Sequence, residues 1–95
     1  TSMKVYRISR FTVLDQDKLA QTLDDMRASF ADRTGAEFID FICDGEGNGM
    51  AVARYPDQEA MDAAAPYSKL GFDRLVEAGS VEFVEPWSGE VLVSL

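Results

Sequence analysis

The sequence predicts an α+β fold in which four strands and two helices follow one another as β-α-β-β-α-β, the strands forming one antiparallel sheet with both helices on one face. Three observations predict it. Stretches with two-residue apolar alternation give way twice to stretches with helical spacing. Gly45, Gly47 and Gly49 supply a tight reversal between the second and third strands. Large apolar groups also occupy both parities of the strands, more than two helices on one side can cover. At 95 residues a single domain is expected. It spans residues 3–95, with Thr1 and Ser2 ahead of Met3 read as a cloning remnant.

The first strand covers 4–13, with Val5, Arg7, Ser9, Phe11 and Val13 on one face and Tyr6, Ile8, Arg10 and Thr12 on the other. From Asp15 the period changes: Leu19, Leu23, Met26 and Phe30 recur at helical spacing beside Ala20, and charged residues lie off that stripe. Asp15 or Asp17 suits the helix start and Thr34-Gly35 its end. Residues 36–43, rich in β-branched and aromatic groups, read as the second strand, and Met50 to Tyr55 as its partner. Asp57 can cap the second helix, Pro66 is expected to kink or split it, and Gly79 to stop it. Val81 to Pro86 reads as the fourth strand, with Val81 and Phe83 opposed to Glu82 and Val84. The terminal VLVSL either continues a bulged strand or adds a short fifth one.

Charge narrows the function classes. With 17 acidic against 9 basic side chains the formal net charge is -8, and no two basic residues are adjacent, so neither nucleic acid nor an anionic membrane surface is an expected partner. One local exception is a small positive spot formed by Arg7, Arg10 and Arg54. The lone Cys43 allows no intrachain disulfide and fits a reducing compartment, so a cytoplasmic location is expected. The absence of histidine removes the commonest neutral-pH base, Ser-His-Asp and Cys-His arrangements and histidine-containing metal sites. The turn glycines lack the spacing and the Lys-Ser/Thr end of a phosphate loop. No metal site is expected.

The second apolar face needs a cover. Phe38 and Ile42 share one parity of strand two, and Ile39, Phe41 and Cys43 the other, so a second copy of the chain, meeting this one sheet to sheet, is the expected partner. The element order, the EFIDFICD and MAVARYPDQEAMDAA stretches and the final strand with its appended VLVSL resemble the dimeric α+β barrel superfamily, particularly proteins similar to antibiotic-biosynthesis monooxygenases. That resemblance implies a ferredoxin-like subunit, a homodimer, an apolar cavity between sheet and helices, and oxidation of aromatic polyketides without metal or flavin cofactor. Haem-degrading members of the superfamily use an axial histidine with an asparagine and a tryptophan. This chain lacks the histidine, its sole asparagine is Asn48 in the hairpin and its sole tryptophan is Trp87, so none of those roles carries over.

Asp40 interrupts an apolar strand at the parity of Phe38 and Ile42. Two readings are open for it: a structural role, as an ion pair with Arg7, Arg10 or Arg54 or as an exposed residue at a sheet edge, or contact with substrate as acid or base. For an enzyme, the resemblance implies that the substrate's own enolate or phenolate passes an electron to oxygen. Arg7, Arg54 and Tyr67 are the residues expected to stabilise the anionic charge, with Asp40 as proton acceptor. Tyr6, Tyr55 and Tyr67 are candidate hydrogen-bonding groups at the rim of an aromatic-ligand cavity, and Phe38, Phe41, Phe72 and Trp87 candidate ring-packing surface. The competing reading is a noncatalytic dimer that binds a small apolar ligand or another protein. It expects these groups not to converge on one cavity.

Overall fold

The computed structural model describes residues 3–30 and 35–95, without the side chains of Ser29 and Phe30. The elements follow the expected order: β1 (Val5–Val13), α1 (Gln16–Phe30), β2 (Phe38–Cys43), β3 (Asn48–Tyr55), α2 (Gln58–Glu77) and β4 (Val81–Glu90). All strand pairs are antiparallel and the sheet order is β2-β3-β1-β4, a ferredoxin-like α+β arrangement. Thr34 and the Phe30 side chain, both assigned roles at the end of α1, lie outside the described residues.

Register fixes the two faces. Arg7 lies opposite Ala53 on β3 and Ser88 on β4, and Ser9 opposite Ala51 and Pro86. The odd-numbered β1 residues therefore share their face with Ala51, Ala53 and Tyr55, and this face meets the helices: Phe11, Ala51 and Val81 pack with Leu19, Met26 and Leu75. At the other end Val5, Ala53 and Tyr55 pack with Met61 and Ala64. The core is thus two clusters on one side of the sheet. Tyr6, Ile8 and Arg10 face away, in register with Arg54, Val52 and Met50 and, beyond β3, with Phe38, Asp40 and Ile42.

Local chemistry sets the element ends. Asp15 Oδ1 accepts from the Lys18 amide (3.0 Å) and Asp57 Oδ1 from the Ala60 amide (2.8 Å), so each helix has an aspartate cap. At the end of α2 the Gly79 amide donates to Val76 O and the Ser80 amide to Leu75 O, with Gly79 at φ 77°. This is the paired capping pattern that glycine permits. The hairpin is clamped by Asp44, which accepts from the amides of Glu46 (2.7 Å) and Asn48 (3.1 Å) and from Asn48 Nδ2 (2.8 Å). Gly49 is required by packing, since a Cβ there would sit 2.3 Å from the Phe11 ring.

Five expectations need correction. β3 begins at Asn48 rather than Met50, because the Asp44 clamp closes the turn earlier. Pro66 does not split α2. It lies on the exposed side of one continuous helix, where the Asp62 carbonyl left without a helical donor is open to water. β4 continues through Trp87 to Glu90. Its alternation breaks at a bulge where Phe83 and Val84 together oppose Phe11, so that Val84 packs on the core and Phe83 is 75% exposed. Residues 91–95 then form no further strand, although the Val91 amide still donates to Lys4 O.

Candidate functional site

A cleft of about 510 Å³ opens between the helix-facing side of the sheet and the helices. It exists because small residues stand where a packed core would place large ones. Ala51 and Ala53 alternate along the central strand β3, and Ala64 and Gly71 lie seven residues apart on the cleft side of α2. Residues of both core clusters line it, so the cleft is the gap in packing between them. Phe41 and Phe72 wall one side and form, with Phe11, a cluster of tilted rings whose centroids are 6.0–6.1 Å apart.

Polar groups enter this apolar space at few points. Arg7 reaches it from β1 and makes no ion pair with any described residue. Ser9 lies next to it on the same face, 2% exposed. Tyr55 is equally buried, and burial pushes its phenol above the ordinary tyrosine value while the nearby Arg7 charge partly opposes the shift. It therefore remains a neutral hydrogen-bond donor over the physiological range. Tyr67 and Ser68 come from α2, and Arg27 borders the opening from α1.

The carboxylate among the described lining residues is Glu37, and it is already committed. Lys4 donates to it, and Arg54 Nε donates to its other oxygen at 2.7 Å. The Lys4 hydrogen bond and then that of Arg54 hold Glu37 below the usual carboxylate range against partial desolvation. The cleft thus offers cations and hydroxyl donors, with no uncommitted base among the described residues. Its local charge is opposite in sign to that of the chain.

The four residues expected to act together are divided by the sheet. Arg7 and Tyr67 line the cleft, whereas Arg54 and Asp40 belong to the opposite face because even-numbered β2 and β3 positions point away from the helices. Arg54 is held there by the Tyr6 hydroxyl and Glu37, which raise its pKa, and it lies 5.0 Å over the Phe38 ring. Tyr6 meets Phe38 edge to face at 6.2 Å. Asp40 is exposed on the edge strand β2 and pairs with none of the three arginines. The grouping of Arg7, Arg10 and Arg54 into one positive spot is likewise overturned, since Arg7 has the other parity.

The aromatic candidates divide in the same way. Tyr55 and Phe72 line the cleft, while Phe38 borders it but turns its ring to the far face. Tyr6 sits on that face, and Trp87, in register with Ile8, is 63% exposed there. Sequence reasoning passed over Ser9, Glu37 and the small residues that make room. Ala51-x-Ala53 on a central strand, with Ala64, Tyr67, Ser68 and Gly71 at helical spacing, was a usable signal: two facing elements that both lack bulk.

No protein-family model matches the chain, and no curated protein matches it. Solved structures do. SnoaB, a cofactor-independent oxygenase from Streptomyces nogalater, superposes with a TM-score of 0.74 at 19% identity, covering 99% of this chain and 98% of that one. A candidate antibiotic biosynthesis monooxygenase from Deinococcus radiodurans gives 0.71 at 15% identity, with 96% and 95% covered. The haem degrader MhuD from Mycobacterium tuberculosis gives 0.67 at 17%, with 96% and 98% covered. At these identities the likeness establishes a shared fold. Within that fold, Asn48 occupies the hairpin and Trp87 the far face of the sheet.

Proposed function

We propose that the chain binds an electron-rich aromatic or polyketide-like molecule in the cleft and oxygenates it with molecular oxygen, without cofactor. The observation that carries this reading is the Arg7 guanidinium, free of any carboxylate among the described residues and set beside the buried Tyr55 phenol in an apolar cleft. A cation so placed favours a ligand that brings a delocalised negative charge, and the low surrounding dielectric strengthens the attraction. The volume suits a molecule of a few fused rings. Resemblance in fold to a cofactor-independent oxygenase supports the choice of reaction class.

The division of labour follows from what the cleft lacks. With no histidine in the chain and Glu37 engaged by Lys4 and Arg54, the substrate must lose its proton readily by itself. Arg7 and the Tyr55 and Tyr67 hydroxyls then stabilise the resulting enolate or phenolate, which passes an electron to oxygen. Recombination at a ring methylene gives a hydroperoxide, and loss of water leaves a carbonyl: one CH₂ and one O₂ become one C=O and one H₂O. Phe41, Phe72 and the small-residue floor hold the ring and exclude solvent.

The same donor set favours a second reading, since a cleft with anion-binding groups and no free base also suits noncatalytic binding of aromatic anions. Oxygen uptake with anthrone-like and hydroquinone-like substrates separates the two. Turnover above the spontaneous rate that falls ~10²-fold in Arg7→Gln supports oxygenation. Saturable binding with no uptake across the panel rejects it in favour of the binder. We further propose that the chain works as a homodimer through its sheet faces, because Ile42 and Trp87 are more than half exposed on the face away from the helices.

A further inference from the structure

We infer that Ser9 is a specificity residue of the cleft: its hydroxyl selects, among aromatic anions, those that carry a second, neutral oxygen on the ring system. The inference rests on the anion site just proposed and narrows its ligand class. Its starting point is a contrast between the two polar side chains that are fully buried among the described residues, Ser80 and Ser9. The Ser80 hydroxyl donates to Leu75 O at 2.8 Å and so holds the end of α2. The Ser9 hydroxyl, on a residue only 2% exposed, meets no hydrogen-bond partner among the described residues.

A buried hydroxyl without a partner lowers stability, so it calls for a reason. Making room is not that reason. Ala51 stands directly opposite Ser9 on β3, with Ala53 one pleat away, and both open the cleft without a polar atom. Alanine at position 9 would leave the same space. No described side-chain oxygen is both shut from solvent and unpartnered, so the Ser9 hydroxyl keeps an opening, and the cleft that Ser9 lines supplies it.

Position along the strand says what the hydroxyl would meet. Arg7, Ser9 and Phe11 follow one another on the helix-facing side of β1, at steps of roughly 7 Å. Phe11 belongs to the ring cluster with Phe41 and Phe72, the aromatic wall of the cleft. The order is therefore cation, hydroxyl, ring wall. A ligand whose anionic group meets Arg7 and whose far ring lies against Phe41 and Phe72 passes over Ser9 between them. An oxygen carried on that part of the ligand finds a partner there. Because a serine hydroxyl both donates and accepts, either a ring hydroxyl or a ring carbonyl fits.

The two polar contacts are separable, since Arg7 reads charge and Ser9 reads an uncharged oxygen. The test titrates the whole chain calorimetrically with 2-naphthoate and with a set of hydroxy-2-naphthoates that differ in the position of the hydroxyl. At least one isomer is expected to bind the wild type about threefold to tenfold more tightly than 2-naphthoate, the worth of one neutral hydrogen bond. Ser9→Ala is expected to abolish that gain while 2-naphthoate keeps its affinity and its preference over naphthalene. Urea unfolding supplies the readout for a structural role. Ser9→Ala should not lower the midpoint, because it removes an unpartnered hydroxyl, whereas Ser80→Ala should lower it. A gain that survives Ser9→Ala, or no gain with any isomer, overturns the inference and leaves the anion site standing. A lowered midpoint together with weaker binding of every ligand assigns Ser9 to the scaffold and overturns the inference too. Failure of 2-naphthoate itself to bind the wild type overturns the anion site, and the role of Ser9 with it.

Discussion

At the scale of the residue, Arg7 is decisive because no described residue forms an ion pair with it. A buried or half-buried cation normally has a carboxylate partner, and here the available carboxylate, Glu37, is taken by Lys4 and Arg54. Arg7→Gln is expected to leave the fold intact and abolish the preference for anionic over neutral ring ligands, readable by comparing a naphthoate with naphthalene in fluorescence titrations. The pH profile belongs to the same scale. Tyr55 is held neutral by burial, so kcat/KM should rise with pH along the substrate's own ionisation. Two substrates of different acidity should then show inflections displaced by the difference in their pKa values. A common inflection for both would assign the titration to the protein instead. Glu37 has a depressed folded pKa, so its stabilising contribution is present above the ordinary carboxylate value and is lost as pH falls through the lower folded one. Glu37→Gln should therefore lower Tm at neutral pH, with the difference closing in acid.

At the scale of the element, the strands and helices were legible because each carries its own signal. The apolar stripe of α1, the aspartate caps and the glycine-rich hairpin are local patterns read by local physics. The misreadings were local signals overridden from a distance. Pro66 reads as a break, but its helix packs Met61, Ala64, Gly71 and Leu75 inward on both sides of it, and the proline itself faces water. In β4 the alternation Val81, Phe83 failed because a bulge inserts one residue, and no turn residue announces it. Gly49 shows the reverse case, a glycine explained by packing. Gly49→Ala should cost ~1–3 kcal/mol in urea unfolding, since the added methyl collides with the Phe11 ring in a filled core. Ser80→Ala is expected to cost ~1 kcal/mol by removing the 2.8 Å bond from its hydroxyl to Leu75 O at the end of α2.

At the scale of the whole molecule, two helices cover one face of a four-stranded sheet and leave the other with Ile8, Val52, Ile42 and Trp87. With a net charge of -8 per chain, two copies repel at long range while their apolar faces attract at contact. Dimerisation should therefore strengthen as salt rises from low to physiological concentration, which sedimentation at two ionic strengths would show. A dimer weakened by salt would mean that cross-interface ion pairs dominate instead.

The sequence by itself determined the element order, the one-sided placement of the helices and the surplus of hydrophobe on the free face, because periodicity and turn chemistry act over a few residues. It also placed Arg7, Tyr55, Tyr67 and Phe72 among the groups to watch. Only the tertiary structure decided which of them share a space. Side chains alternate across a strand, so a single step of register sends Arg54 and Asp40 to one face and Arg7 to the other, and that register is set by pairing between residues some forty positions apart. The cleft is likewise a property of the assembled layers. It appears where the small residues of β3 and α2 come to face each other, and neither segment alone can specify that meeting.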